Sequence, residues 1–502
     1  MALRTSSRSW QTVSAPLLIT ILVLAETNHA FEQNMVQIAL PHIYSDFGDP
    51  FIVGWSITGY ALVAAATAAT AGRLGDVLGR KQVLVASLLL GTVGSFIVVI
   101  SPTLPGLIIG RAVQGVTGAI LGLAFGIARE RLGEKRIGMA LSLLAGTALI
   151  GGPMGTFVAG ALVDSLGWHS MFYFSGALAL ISAAITAWLL PSSERRGTLR
   201  DVDFLGGTMF AVAVTLVLLG FTLMRRPGLS SIVLLSFVGG ITIAAVWIVY
   251  TLRHKTPTID LRTFRDGRVA VAHLAMFVVA VGVLASFLVF SVVLQSPAGV
   301  GIGMGLSAAA TAAVMGIASL VGGAILSPLS GTLAQRFGAG VPMTVGSVII
   351  CIASASLYFG GQVPTLLVAG CSATILGVAF LYAAIPILLM SGVPEARTSE
   401  AGNLNQVMKS VGLAIGPLVF SAVLASQTVQ LGGKPFTAPT AYASAFLIAG
   451  VAGMTLFVLS LAALYFERSA KNYRKAQPDR ENLRNDRDRI DAEIPQQAGY
   501  HS

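Results

Sequence analysis

Four ionisable residues stand where such residues are costly. Glu26 and Glu32 interrupt the apolar run that begins at Ala15, Arg111 lies inside a second run and Lys409 inside another. A charge at the centre of a bilayer costs about 2.5–3.5 kcal/mol on insertion scales. Side chains of this kind persist where they line a wet passage or satisfy one another. A carboxylic acid held between desolvation, which favours the neutral form, and a guanidinium, which favours the anion, can take up and release a proton once per cycle. His29 lies three residues from each glutamate. Imidazole titrates near neutral pH in water, which suits a proton relay; the alternative is a hydrogen-bonded packing role.

Helical geometry sorts these groups by depth. With a rise of 1.5 Å per residue, Glu32 and Arg111 fall roughly 13 and 10 Å below the same end of their runs, so they are level. Glu26 is about 9 Å deeper and about 240° further round the helix, so the two acids face different ways. Its depth approaches that of Lys409. The expectation is a division of labour. Glu32 and Arg111 form a proton-sensitive pair, or else a structural ion pair. Glu26 lines a central cavity with Asn28 and Asn34 and binds protons or a cationic substrate. Tyr60, Gln114, Phe287, Tyr382 and Lys409 complete the candidate cavity. The aromatic rings could stack on an aromatic compound, although membrane aromatics more often pack or face lipid, and Lys409 could equally be a packing lysine.

The elements that must hold these residues are membrane helices. Hydrophobic residues make up 55% of the 502 and charged residues only 11%, with mean hydropathy +0.80. Soluble domains carry about 25% charged residues. Fourteen runs are long and apolar enough to span a bilayer, from 15–41 to 441–466. The 56 glycines suit close helix packing. Cys351 and Cys371 both lie in apolar runs, which excludes a disulfide framework. No zinc spacing or Walker loop occurs, and the glycine-rich Gly299–Gly305 segment is no dinucleotide fingerprint. No metal or cofactor is expected, and a monomer is.

The net charge of +10 is a topology signal rather than a nucleic-acid signal. With the N-terminus inside, the inner loops hold nineteen Lys and Arg, the tail eight more, and the outer loops only Arg225, Arg226 and Lys434. The positive-inside rule then places both termini in the cytoplasm of a multi-pass plasma-membrane protein. Arg4, Arg8 and the following apolar run could pass for a cleaved leader. Cleavage would leave thirteen spans and misplace the tail, so a retained first span is the expectation.

The segment Gly72-Arg73-Leu74-Gly75-Asp76-Val77-Leu78-Gly79-Arg80-Lys81 resembles the signature loop between spans two and three of the major facilitator superfamily. It departs at Gly75 and Val77. Arg111-Ala112-Val113-Gln114-Gly115 is similar to the span-four pattern of the same superfamily. A weaker echo of the first loop recurs at Gly331–Gly338, with Gln335 in place of the acid. The resemblance implies two related halves and alternating access. It also implies a cytoplasmic latch built from Gly72, Asp76, Gly79 and Arg80, which closes in the outward-facing state. Lys81 needs no more than the positive-inside rule.

Fourteen spans, and Glu32 seven residues before Ala39-Leu40-Pro41, resemble the fourteen-span drug:proton antiporter branch. The implied fold is an all-α membrane protein. It has a six-helix bundle over 1–198, two extra linking helices over 199–262, a second six-helix bundle over 263–466 and a polar tail over 467–502. The span-five antiporter motif is degraded to Gly151, Gly155 and Gly160, with its proline displaced to Pro153. The implied function is proton-coupled export of hydrophobic compounds, cationic ones included, by a chain that is not an enzyme. The partners are a small-molecule substrate, protons and the lipid bilayer. The alternatives are a facilitator-fold symporter importing an organic anion on Arg111 and Lys409, and a membrane sensor without transport.

Overall fold

The computed structural model describes residues 14–132, 134–193, 203–223, 230–254, 261–393, 398–432 and 434–493. The first half comprises α1 (Ala15–Phe47), the short α2 (Pro50–Val53), α3 (Trp55–Leu78), α4 (Arg80–Ile100), α5 (Leu104–Gln114), α6 (Ile120–Arg131), α7 (Glu134–Leu166) and α8 (Ser170–Leu189). A hairpin follows, α9 (Phe204–Leu223) and α10 (Ser230–Arg253). The second half holds α11 (Gly267–Val278), α12 (Phe287–Gln295), α13 (Ala308–Val321), α14 (Ser327–Phe337), α15 (Gly340–Gly360), α16 (Pro364–Ser391) and α17 (Thr398–Leu424). An antiparallel ribbon of β1 (Thr428–Leu431) and β2 (Lys434–Thr437) then leads into α18 (Pro439–Glu493).

Among the described residues twelve helices are long and apolar enough to cross a membrane. Four of them are composite, the first being α2 run into α3 across Gly54. A 3₁₀ stretch, Gly115–Ala119, joins α5 to α6, and π-turns at Val279–Leu284 and Gly322–Leu326 join α11 to α12 and α13 to α14. Outward-facing Ile100, Trp188, Leu235 and Phe359 are among the side chains that would meet lipid. α1 and α7 are each 33 residues long. Neither is among the twelve: the polar residues of α1 dilute its hydropathy, and the apolar stretch found in α7 is Met154–Leu166. The expected count of fourteen thus rests, for these two, on length and position in the bundle.

Helix ends follow local chemistry. Thr103 and Ser307 accept amides of the first turns of α5 and α13, and Asp266 does the same for α11. Gly79 ends α3 at φ +97° and Gly338 ends α14 at φ +98°. A side chain at either backbone conformation would be strained. The weak sequence echo between the halves is therefore an echo in geometry at these two glycines. The helix runs straight through Gly72 and Gly75, and the chain turns at Gly79. The polar tail continues α18 as helix to Glu493.

The apolar cores divide unequally along the bundle axis. At the end carrying Lys81 and Arg131, here the basic end, each half has its own core. One is built around Leu22, Leu84 and Ile120, the other around Met276, Met343 and Leu388. At the opposite end a single core includes Phe31, Met35 and Phe172 of the first half and Phe290, Phe420 and Phe446 of the second. Two long seams flank the junction of the halves, α7 against α13 and α3 against α17, and α1 also meets α12. The α9–α10 hairpin lies over the second seam. Leu218 packs with Ala61 of α3 and Leu418 of α17, and Trp247 packs with Leu404 and Val407.

Candidate functional site

Between the halves lies a cavity of about 210 Å³. The polar stripe of α1 forms one wall, with Glu26, His29, Gln33, Asn34 and Gln37, and α3 adds Tyr60. The second half contributes Phe287, Ser319, Tyr382, Gln406, Lys409 and Ser410. Glu26, His29, Asn34, Tyr60, Phe287, Tyr382 and Lys409 thus meet around one space. Asn28 and Gln114 do not, and the expectation for them is corrected. Asn28 is fully buried behind the wall beside Glu32, without a hydrogen bond of normal geometry. Gln114 is tied into a separate cluster, donating from Nε2 to Ser95 Oγ (2.7 Å).

Glu26 is 1% exposed, and its Oε2 has no hydrogen-bond partner. Lys409 lies close enough for its charge to act on both Glu26 and His29. No salt bridge within 4 Å joins Glu26 to Lys409 among the described residues. A buried carboxylate without a partner is strongly penalised.

Glu32 and Arg111 sit together behind the cavity wall, level as the helical rise predicts, but they are not an ion pair. Arg111 donates to the backbone carbonyl of Glu32 (2.8 Å), to Gln114 Oε1 (2.9 Å) and to the Ser56 carbonyl (3.3 Å). Its guanidinium also stacks 4.3 Å from the centre of the Tyr60 ring. The Glu32 carboxylate instead accepts hydroxyl protons from Thr117 (2.8 Å) and Ser175 (2.9 Å). The arginine thus locks the backbone of α1 and leaves the acid to neutral donors.

Sequence reasoning misses Thr117 and Ser175. Arg111, Gln114 and Thr117 recur every third residue, so one face of α5 and its 3₁₀ extension carries all three. That spacing is the available signal. A hydrogen-bonded chain follows from it. Tyr60 OH lies 2.9 Å from His29 Nδ1 and 3.3 Å from Thr117 Oγ1, which reaches Glu32. The cavity and the buried acid are therefore connected through two hydroxyl groups.

Small residues bring these elements within reach. A Cβ on Gly115 would stand 2.4 Å from the Tyr60 carbonyl, and one on Gly118 2.6 Å from Ala64. Of the span-five residues, Gly151 and Gly155 pack against Ala30 and Phe31 of α1, and Gly160 packs against Ala308 and Ala312 of α13. Pro153 lies within α7, with its side chain outside the described residues.

At the basic end, Arg80 bonds Asp76 (2.8 Å), Glu130 (3.2 Å) and the Gly126 carbonyl (2.7 Å). Every one of these partners belongs to the first half, so the expected latch residues do not bridge the halves here. Gly79 forms the turn between them, while the surroundings of Gly72 lie outside the described residues. Lys81 donates to the Ala187 and Leu190 carbonyls (2.8 and 2.5 Å), completing the end of α8.

The opposite end is bridged. Asp164, at the end of α7, accepts the first amides of α13, from Ala308 (3.0 Å) and Ala309 (2.8 Å). Gln295 donates to the Ile38 carbonyl (3.0 Å), and deeper in the bundle Thr58 donates to the Ala414 carbonyl (2.8 Å). With the shared apolar core, these contacts close that end.

Comparisons with known proteins agree with this architecture. The chain is 25% identical over 421 residues to the multidrug resistance protein B homolog of Mycobacterium tuberculosis, covering 81% of this chain and 76% of that one. It is 25% identical over 443 residues to the tetracenomycin C resistance and export protein of Streptomyces glaucescens, covering 84% and 77%. Among solved structures, a peptide transporter crystallised with sulfate superimposes with a TM-score of 0.65 at 16% identity, covering 90% of this chain and 94% of that one. The family model described as Major Facilitator Superfamily matches residues 22–417 and 275–492. A polytopic helical chain with a cavity between two halves and this family match belongs to the Major Facilitator Superfamily, a family of transporters and not of enzymes.

Proposed function

We propose that this protein is a proton-coupled exporter that moves small, largely hydrophobic molecules across the plasma membrane by alternating access. The observation that carries the reading is Glu26, a buried carboxylate without a partner on the wall of a cavity between two halves. Such a group binds either a proton or a positively charged moiety, and competition between the two is the elementary step of antiport. The names of the two relatives, a multidrug resistance protein and an export protein, support the outward direction.

In this reading the basic end is cytoplasmic, α1 and α7 complete fourteen spans, both termini lie inside and the chain acts as a monomer. The separate cores at the basic end and the shared core at the other support an inward-facing state. The chain from His29 through Tyr60 and Thr117 offers protons a path between the cavity and Glu32. The latch residues Asp76 and Arg80 then engage the second half only after the molecule has turned outward.

One observation favours the organic-anion importer: Lys409 faces the cavity. Arg111, the other cation of that reading, does not line the cavity: it lies behind the wall, bonded to the Glu32 carbonyl and stacked on the Tyr60 ring, with Nη2 unpartnered. The test is direction. Cells making the protein should accumulate less of a fluorescent aromatic amine than cells without it, and an ionophore that collapses the proton gradient should abolish the difference. Greater accumulation in the producing cells sinks the exporter.

A further inference from the structure

We propose that the cavity selects zwitterions: molecules whose cationic group meets Glu26 and whose anionic group meets Lys409, with an apolar body between them. The inference rests on reading this cavity as the transport site and adds the chemistry of what it takes. Glu26 and Lys409 are the one carboxyl and the one ammonium group among the lining residues, and they stand on opposite halves, on α1 and α17. His29, also on the wall, is hydrogen-bonded through Nδ1 to Tyr60.

The two charges sense each other but are not in contact. The gap leaves each with unsatisfied bonding capacity: Glu26 Oε2 is buried without a partner, and the Lys409 ammonium has no hydrogen bond among the described residues. A purely cationic guest satisfies Glu26 and is repelled by Lys409. A purely anionic guest has the converse problem. A guest carrying both charges satisfies both walls and suffers neither repulsion, which is selection by penalty as well as by attraction. Phe287 and Tyr382 supply apolar surface for the body of such a guest.

The placement also bears on the transport cycle. A guest that bridges α1 and α17 binds more tightly when the halves approach, so it favours closure of the cavity around itself. A ligand shifts a conformational equilibrium only through such differential contact. A singly charged guest would touch one half and bias the equilibrium less.

The test uses a matched trio of rigid probes. One is aminomethyl-biphenyl-carboxylic acid, with ammonium and carboxylate at opposite ends. The others are its methyl ester, a cation, and its N-acetyl derivative, an anion. Equilibrium binding to the full-length protein in lipid nanodiscs should rank the zwitterion about tenfold or more above either singly charged form. Lys409→Gln should erase the advantage over the ester by improving ester binding, a gain that a misfolded variant cannot give. Glu26→Gln should likewise erase the advantage over the N-acetyl form. Equal affinities in the unmodified protein, a ranking that survives both substitutions, or no binding of any probe overturns the proposal. Transport of the zwitterion in proteoliposomes separates this from the exporter reading. Selective binding with transport that ignores the proton gradient refutes proton coupling and leaves zwitterion selection standing.

Discussion

The Asp164 contact makes the sharpest prediction about conformational balance. Its carboxylate accepts the amides of Ala308 and Ala309 at 3.0 and 2.8 Å, where α13 presents the positive end of its dipole. The side chain is exposed, so its charge is screened and full buried-bond values do not apply. Asp164→Asn keeps a carbonyl acceptor and loses the charge, which at an exposed helix terminus costs about 0.5 kcal/mol. Asp164→Ala also loses both bonds, for a total of about 1.5 kcal/mol. Because the contact exists only while this end is closed, the loss appears as a population shift toward the open state. The shift is roughly twofold for Asn and roughly tenfold for Ala. Spin labels at Leu166 and Gln430, both exposed and on different halves, read the opening as a longer inter-label distance in pulsed electron resonance. A distance distribution identical in all three proteins, or a larger shift for Asn than for Ala, refutes the reasoning.

Other substitutions test the remaining parts. Glu26→Gln should eliminate proton-driven transport in proteoliposomes without lowering the thermal midpoint, because the substitution removes a penalised buried carboxylate and no native hydrogen bond. Tyr60→Phe removes the shared hydroxyl between His29 and Thr117; proton uptake measured with an entrapped pH dye should slow at least tenfold while probe binding persists. Gly118→Val would drive a side chain into Ala64, whose Cβ lies 2.6 Å from where the first carbon of the new side chain would stand; overpacking of this kind costs about 1–3 kcal/mol and should lower the melting temperature. Lys81→Met leaves the Ala187 and Leu190 carbonyls without their donor and should cost about 1 kcal/mol in the same melt.

Depth along the membrane normal is legible in the sequence; direction around each helix is not. Rise per residue puts Glu32 level with Arg111 and Glu26 near Lys409, and the structure groups them in that way. Asn28 and Gln114 look like cavity residues because they are polar, yet both face away from it. In a helix whose every side is apolar, a lone amide gives no periodic signal about the face it occupies. The partners of Glu32 are hidden for a similar reason, since serine and threonine are common in membrane helices and carry no charge to betray a role. The helical end of α3 also overrides local expectation. Glycine is a poor helix former, yet Gly72 and Gly75 stay within α3, and it is Gly79 that reverses the chain.

The α9–α10 hairpin gives the molecule a handedness toward its solvent. By lying over the seam of α3 and α17, it shields that flank from the surrounding acyl chains, while among the described residues no helix covers the α7–α13 flank in the same manner. A compound partitioned into the surrounding lipid thus meets one blind side and one side where two bundles abut directly. Any route from lipid into the cavity has a preferred compass bearing, and the two helices between the bundles are what set it.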